Sequence, residues 1–403
     1  MLSIGLVRVF NESEFAGYGI AMSIALFCQA IQRGFNIQAS LLDSRNFLAK
    51  ARGLLGAHLI ILTAALLIPL LAYIFLRVVR APMMTADIAA ATVACVAIFF
   101  QAETNRVFLI KRGRQLWSLA VSALLFASYA AVIALGYLKA ITFQQGMLGL
   151  AVLFVTVSAA VAWRGIKPNF RRGWRELVTD LKAVMAWTTV GTLASGAYSH
   201  LPVFVLGAVQ SPIYTAGYVA TRNLIQPLQV LVRGLDIADK HTFSGRADSN
   251  DLRRGVKWPI LRNIAASLAY AIPVYFFAEG LLTLVYGQRF AGFAPALQLW
   301  IAVFVIVGPI LPLESMIYDK RGAKAYSIGI IMCGFATAVA IYPLVHAWNV
   351  MGAIAASLLG CSLHLLVACI AARKNTNLFL PPVWSRSLLS QRLARGVEIR
   401  RVS

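Results

Sequence analysis

Eleven stretches of roughly twenty mainly apolar residues, separated by charged residues or by glycine and proline, run the length of the chain. They cover residues 17–38, 54–76, 86–105, 115–138, 145–163, 183–208, 212–232, 263–286, 293–317, 325–345 and 350–371. About 20 apolar residues are what a helix needs to cross the hydrocarbon core of a bilayer. The pattern therefore predicts an all-α, polytopic membrane protein. A soluble domain covers itself with about 25% charged residues; here 13% are charged and 60% apolar, at a mean hydropathy of +0.75. Disorder is excluded by the same wealth of apolar and aromatic side chains.

The opening segment 1–10 is apolar apart from Ser3 and Arg8, but ten helical residues rise only about 15 Å, half of a bilayer core. It reads as the C-terminal half of a span whose beginning is missing. That makes about twelve transmembrane helices in the intact design, the first truncated, with a misassigned start or a nonfunctional fragment as companion readings. A secretory signal fits less well, since no basic region precedes the apolar one and no A-x-A site follows.

The net charge is +22. A basic balance of this size invites a nucleic-acid reading, but the placement of the charge decides against it. If the start of the partial helix is cytoplasmic, 30 of the 37 Lys and Arg residues fall in the cytoplasmic loops and tail, from Arg45, Lys50 and Arg52 to the last seven between Arg373 and Arg401. The opposite loops hold four, Arg77, Arg80, Lys139 and Arg289. This is the positive-inside bias of membrane proteins, and one span missed or invented in the middle would scramble it. The basic loops and the C-terminus are expected in the cytoplasm.

An internal repeat appears at an offset of 200 residues: Ala16-Gly17-Tyr18 matches Ala216-Gly217-Tyr218, Gln29 matches Gln229, and Arg33-Gly34 matches Arg233-Gly234. Lys111-Arg112-Gly113 and Lys320-Arg321-Gly322 echo each other two helices later. The chain thus divides into an N-terminal six-helix lobe over 1–163, a basic cytoplasmic linker over 164–182, a C-terminal six-helix lobe over 183–372 and a tail over 373–403. The matching helices start on the same membrane side, so the repeat is parallel. Two such halves rocking about a shared site are the pattern of alternating-access transporters. In the tail, Trp384, Leu388, Leu389 and Leu393 among Arg386, Arg392 and Arg395 read as a basic amphipathic helix on the inner membrane face.

The stretch Phe10-Asn11-Glu12-Ser13-Glu14-Phe15-Ala16-Gly17-Tyr18-Gly19 resembles the start of the second helix in polysaccharide flippases (O-antigen type) of the MOP (multidrug/oligosaccharidyl-lipid/polysaccharide) superfamily. Val285-Tyr286-Gly287-Gln288-Arg289-Phe290 is similar to the family's ninth-to-tenth helix connection, and Asn349-Val350-Met351-Gly352-Ala353-Ile354-Ala355-Ala356 to its start of the twelfth. The resemblance implies a V-shaped, MATE-like fold and a transporter of lipid-linked oligosaccharide in a bacterial inner membrane. Its partners would be the lipid-linked glycan, membrane lipids and the polymerase or ligase machinery of surface polysaccharide or lipopolysaccharide synthesis. The sequence departs from the family in lacking the start of the first helix, and with it part of a cavity wall.

Ionisable groups inside spans are expensive and usually face a cavity or a partner. Arg222 lies about ten residues into its span, where its repeat counterpart is Met22. A guanidinium there suits a pyrophosphate headgroup, because it stays charged and bonds phosphate oxygens in pairs; a structural ion pair or a snorkelling side chain is the competing reading. Glu103 and Glu314 sit toward the cytoplasmic ends of their spans as candidate coupling carboxylates, or as partners of Arg106 and Lys320. Glu12 and Glu14 read as solvated charge in an external loop. Prolines 202, 227, 273, 309, 312 and 343 mark flexing bends or static kinks. His58, His200 and His364 read as hydrogen bonders between helices, and the five cysteines, without metal spacing, as small apolar side chains.

No Walker A loop, HExxH or GxSxG element is present, and neither a cofactor nor a metal is called for. The expected function is flipping of lipid-linked oligosaccharide. A MATE-like drug or cation antiporter is the alternative within transport, and a membrane glycosyltransferase or polysaccharide ligase working through Glu12 or Glu14 the alternative outside it.

Overall fold

A computed structural model of the chain describes residues 2–32, 47–78, 86–182, 185–244, 249–318 and 323–376. Among the described residues every regular element is helical. The helices are α1 (Leu2–Val9), α2 (Glu12–Gln32), α3 (Phe47–Val78), α4 (Ala86–Lys111), α5 (Gln115–Tyr137), α6 (Phe143–Ala162) and α7 (Phe170–Lys182). They continue with α8 (Met185–Val209), α9 (Pro212–Ser244), α10 (Ser249–Phe276), α11 (Ala278–Tyr286), α12 (Ala294–Tyr318) and α13 (Ala323–Thr376), a 3-10 turn over Gln288–Phe293 preceding α12. Among the described residues, six helical stretches are long and apolar enough to cross a membrane, and seven if the bent pair α10–α11 is one span. Arg33-Gly34, Lys320-Arg321-Gly322 and the amphipathic tail beyond 376 lie outside the described residues.

Three expectations change. The apolar run 263–286 is not one helix: the chain turns at the non-helical Phe277 and bends by 79° into α11. Tyr275, Phe276 and Phe277 are exposed around the bend, as bulky aromatics at a membrane boundary are. The segment 164–182 is not merely a basic connector. Asn169 caps it, its Oδ1 accepting from the Arg172 amide at 2.9 Å. Phe170, Gly173, Trp174 and Leu177 form a stripe at helical spacing, of which the buried Gly173 and Leu177 pack α7 on α3 while Phe170 and Trp174 are exposed. Finally, Glu12 and Glu14 are helical and engaged. Glu14 closes a capping box with Asn11, the Asn11 amide donating to Glu14 Oε2 at 2.9 Å and the Glu14 amide to Asn11 Oδ1 at 2.8 Å, which starts α2.

The repeated Ala-Gly-Tyr motif does the same packing work twice. Ala16, Tyr18, Ala216 and Tyr218 are buried. A Cβ on Gly17 would stand 3.0 Å from Ile88 of α4, and one on Gly217 would stand 2.5 Å from the Phe293 ring in the 3-10 turn before α12. The two copies then meet each other. A Cβ on Gly19 would lie 2.1 Å from Cγ2 of Val219, so α2 and α9 cross at residues 200 positions apart, as equivalent residues beside a two-fold axis do. Gly19→Ala is expected to lose about 1–3 kcal/mol of stability through overpacking. Val219→Ala added to it should restore at least half; thermal unfolding of the detergent-solubilised chain reads both, and no rescue would mean that the crossing tolerates the methyl elsewhere.

Proline carbonyls explain the second half. A helix-interior proline leaves the carbonyl four residues earlier without its amide. Pro202 orphans Tyr198 O, which accepts from Ser357 Oγ at 3.3 Å, and Pro312 orphans Gly308 O, which accepts from Asn263 Nδ2 at 3.3 Å. In the turn of Pro227, Tyr270 Oη donates to Leu224 O at 2.5 Å. Neighbouring helices supply each donor, so these bends are pinned. α13 breaks at Trp348 and Asn349, where Asn349 has φ 47°; this falls between the expected spans 325–345 and 350–371.

Candidate functional site

Arg222 projects from α9 just beyond the α2–α9 crossing, three residues or about 4.5 Å of helix rise from Val219. Both its terminal nitrogens lie 3.4 Å from Nδ1 of His200 on α8. Its guanidinium carbon stands 5.9 Å from the centre of the Trp300 ring on α12, within cation–π range. Tyr218 packs edge-on to Trp300 at 5.3 Å. His200, Tyr218 and Trp300 are buried, and Arg222 is partly so.

Among the described residues no carboxylate lies within ion-pair distance of Arg222. The His200 ring nitrogen and the Trp300 face hold the guanidinium in place. Bonded to His200 Nδ1 it keeps further N–H donors in its planar fork. Such a group binds an anion, and a diphosphate oxygen pair matches its geometry.

The other sequence candidates do not join this cluster. Glu103 is buried and paired with Arg106 one turn along α4; Glu314 is half-buried on α12. His58 Nδ1 is hydrogen-bonded with Thr104 Oγ1 at 2.9 Å, with Gln32 Nε2 donating to Thr104 at 2.8 Å, and so ties α2, α3 and α4 together. His364 lies between two tyrosines, Tyr198 of α8 and Tyr326 at 2.6 Å. All three histidines thus bridge helices, as expected, and all five cysteines are free thiols. Sequence reasoning missed Trp300 and the pairing of His200 with Arg222. The partners lie 22 and 78 positions from Arg222 in sequence, and only the unexplained arginine itself signalled the place.

Solved structures similar to this fold include transporters of the MOP superfamily. One is an inward-facing multidrug resistance MATE family transporter, 15% identical, with a TM-score of 0.63 over 93% of each chain. The lipid II flippase MurJ in an inward closed conformation is 10% identical, with a TM-score of 0.67 over 92% of this chain and 86% of that one. A MOP superfamily transporter from Pyrococcus furiosus is 15% identical, with a TM-score of 0.62 over 94% and 92%. No protein-family model and no curated protein matches the sequence.

Proposed function

We propose that the chain flips lipid-linked oligosaccharide, a polyprenyl-pyrophosphate glycan, across a bacterial inner membrane for surface polysaccharide or lipopolysaccharide synthesis. In this reading the lobes 1–163 and 183–372 rock about a shared site, the linker 164–182 joins them on the cytoplasmic face, and downstream polymerase or ligase machinery takes the product. The observation that carries it is Arg222, a partly buried cation with no carboxylate within ion-pair distance among the described residues. An anionic headgroup supplies the missing charge. MurJ, a flippase of lipid II, has the same fold.

A MATE-like antiporter of cationic drugs has fold support as well. It calls for carboxylates open to a cation, whereas Glu103 is held by Arg106 and the Arg222 cluster is positive. Glu103 and Glu314 stand in our reading as the candidate coupling carboxylates, with a proton displacing Arg106 from Glu103. A glycosyltransferase working through Glu12 or Glu14 is disfavoured, since one carboxylate faces Arg289 at 3.3 Å and the other caps α2.

The deciding experiment reconstitutes the chain in vesicles carrying a fluorescent lipid-pyrophosphate oligosaccharide. Exchange of the lipid between leaflets, at a rate well above that of protein-free vesicles, is expected. Export of a cationic dye without lipid exchange would turn the assignment to the antiporter, and a product with a new glycosidic bond would reveal an enzyme.

A further inference from the structure

At the end of the bundle away from the arginine-rich loops, two short helices end against each other. α1 and α11 each leave their last carbonyls without helical partners, and an arginine from the opposite segment fills each gap. Arg8, in the last turn of α1, donates from Nη2 to Leu284 O at 2.6 Å and from Nε to Val285 O at 3.2 Å, in the last turn of α11. Arg289, just past α11, donates from Nη2 to Val7 O at 2.7 Å, near the end of α1, and from Nη1 to Glu12 Oε1 at 3.3 Å. Each guanidinium also meets the negative end of the other helix's dipole. The exchange is reciprocal and spans 276 to 282 positions of sequence.

Beneath this pair lies an aromatic seal. Phe15 of α2 stands 6.2 Å from Tyr286, Tyr286 5.7 Å from Phe290 and Phe290 6.1 Å from Phe293. Phe15, Tyr286 and Phe290 are buried. The 79° bend at Phe277 is what carries α11 across to meet α1.

We infer that Arg8 and Arg289 are the latch of the external gate, holding that end shut over the Arg222 site. The inference rests on the alternating-access reading above. Cargo released on this face has to pass the seal, and the seal parts only when both arginines let go of carbonyls belonging to the other half. Polar bonds to backbone at an exposed boundary are easily exchanged for water, which suits a contact that opens every cycle.

The test uses the full chain with its five cysteines replaced by alanine and Met22→Cys as the reporter, in right-side-out membrane vesicles. A membrane-impermeant maleimide is added outside. Labelling is expected to be slow with the latch intact and at least tenfold faster in Arg8→Gln/Arg289→Gln. Arg289→Lys, which keeps the charge and loses the fork, should give an increase of two- to threefold and covers the case of a poorly folding double variant. Unchanged labelling in a folded variant overturns the latch. A second arm joins Arg8→Cys to Gln288→Cys with a short, cleavable thiol reagent; lipid exchange should stop and return on reduction. Exchange at the full rate through the cross-linked chain also overturns it. Labelling reads the gate without any substrate, so a wrong cargo assignment leaves the labelling result standing, and a wrong latch leaves the flipping result standing.

Discussion

Arg222→Ala is expected to slow lipid exchange by tenfold to a hundredfold while leaving the melting temperature within a few degrees. A hydrogen bond to a charged group contributes about 1.5–3 kcal/mol, and about 1.4 kcal/mol is tenfold in an equilibrium; losing the contact to one phosphate oxygen pair gives that range. Stability should hold because, among the described residues, no carboxylate is abandoned when the cation goes, only the Nδ1 of His200 and one face of Trp300. Arg222→Lys keeps the charge without the planar fork and should recover part of the loss. The measurement is the initial rate of exchange at fixed protein density in the vesicle. Wild-type exchange in a folded Arg222→Ala chain would remove the residue from the mechanism.

Gly352→Ala is expected to be the most damaging single methyl among the described glycines. Its Cβ would stand 1.9 Å from the carbonyl oxygen of Leu344 and 2.9 Å from the amide nitrogen of Val345. A clash with backbone has no rotamer to relieve it, so the break at Trp348 and Asn349 would have to open. We expect a loss of about 3 kcal/mol or more, the upper end of overpacking, seen as a large drop in melting temperature and in the yield of monodisperse protein. Gly280→Ala is the control, since its Cβ would meet nothing within 4 Å, and it should behave like the native chain.

Hydropathy carried most of the fold. The apolar runs at 86–105, 115–138 and 145–163 became α4, α5 and α6 with ends displaced by a few residues. What the runs could not express is direction. A window of apolar residues reads the same whether the helix continues or turns through 79°, and α10 and α11 are apolar on both sides of Phe277. Pro273 was the available hint. α7 was hidden for a different reason: its arginines dominated the reading, although the cap at Asn169 and the stripe from Phe170 to Leu177 were there. The candidate site was half visible. A lone arginine in a span stands out by its cost, but His200 and Trp300 reach it through tertiary packing of α8 and α12, which no local period encodes. The same holds for Arg8 and Arg289.

The crossing of α2 and α9 also says something about symmetry. Were the two halves identical and separate, Gly19 and Val219 would be one position meeting its own copy: two glycines leave a gap there and two valines collide, as self-complementary contacts in a symmetric dimer demand. One chain can put the small residue on one side and the branched one on the other. Three positions further along, Met22 holds the place that Arg222 holds in the other half, under the same freedom. A symmetric pair would have to carry two guanidiniums or none at this position, and only the fused chain can carry one.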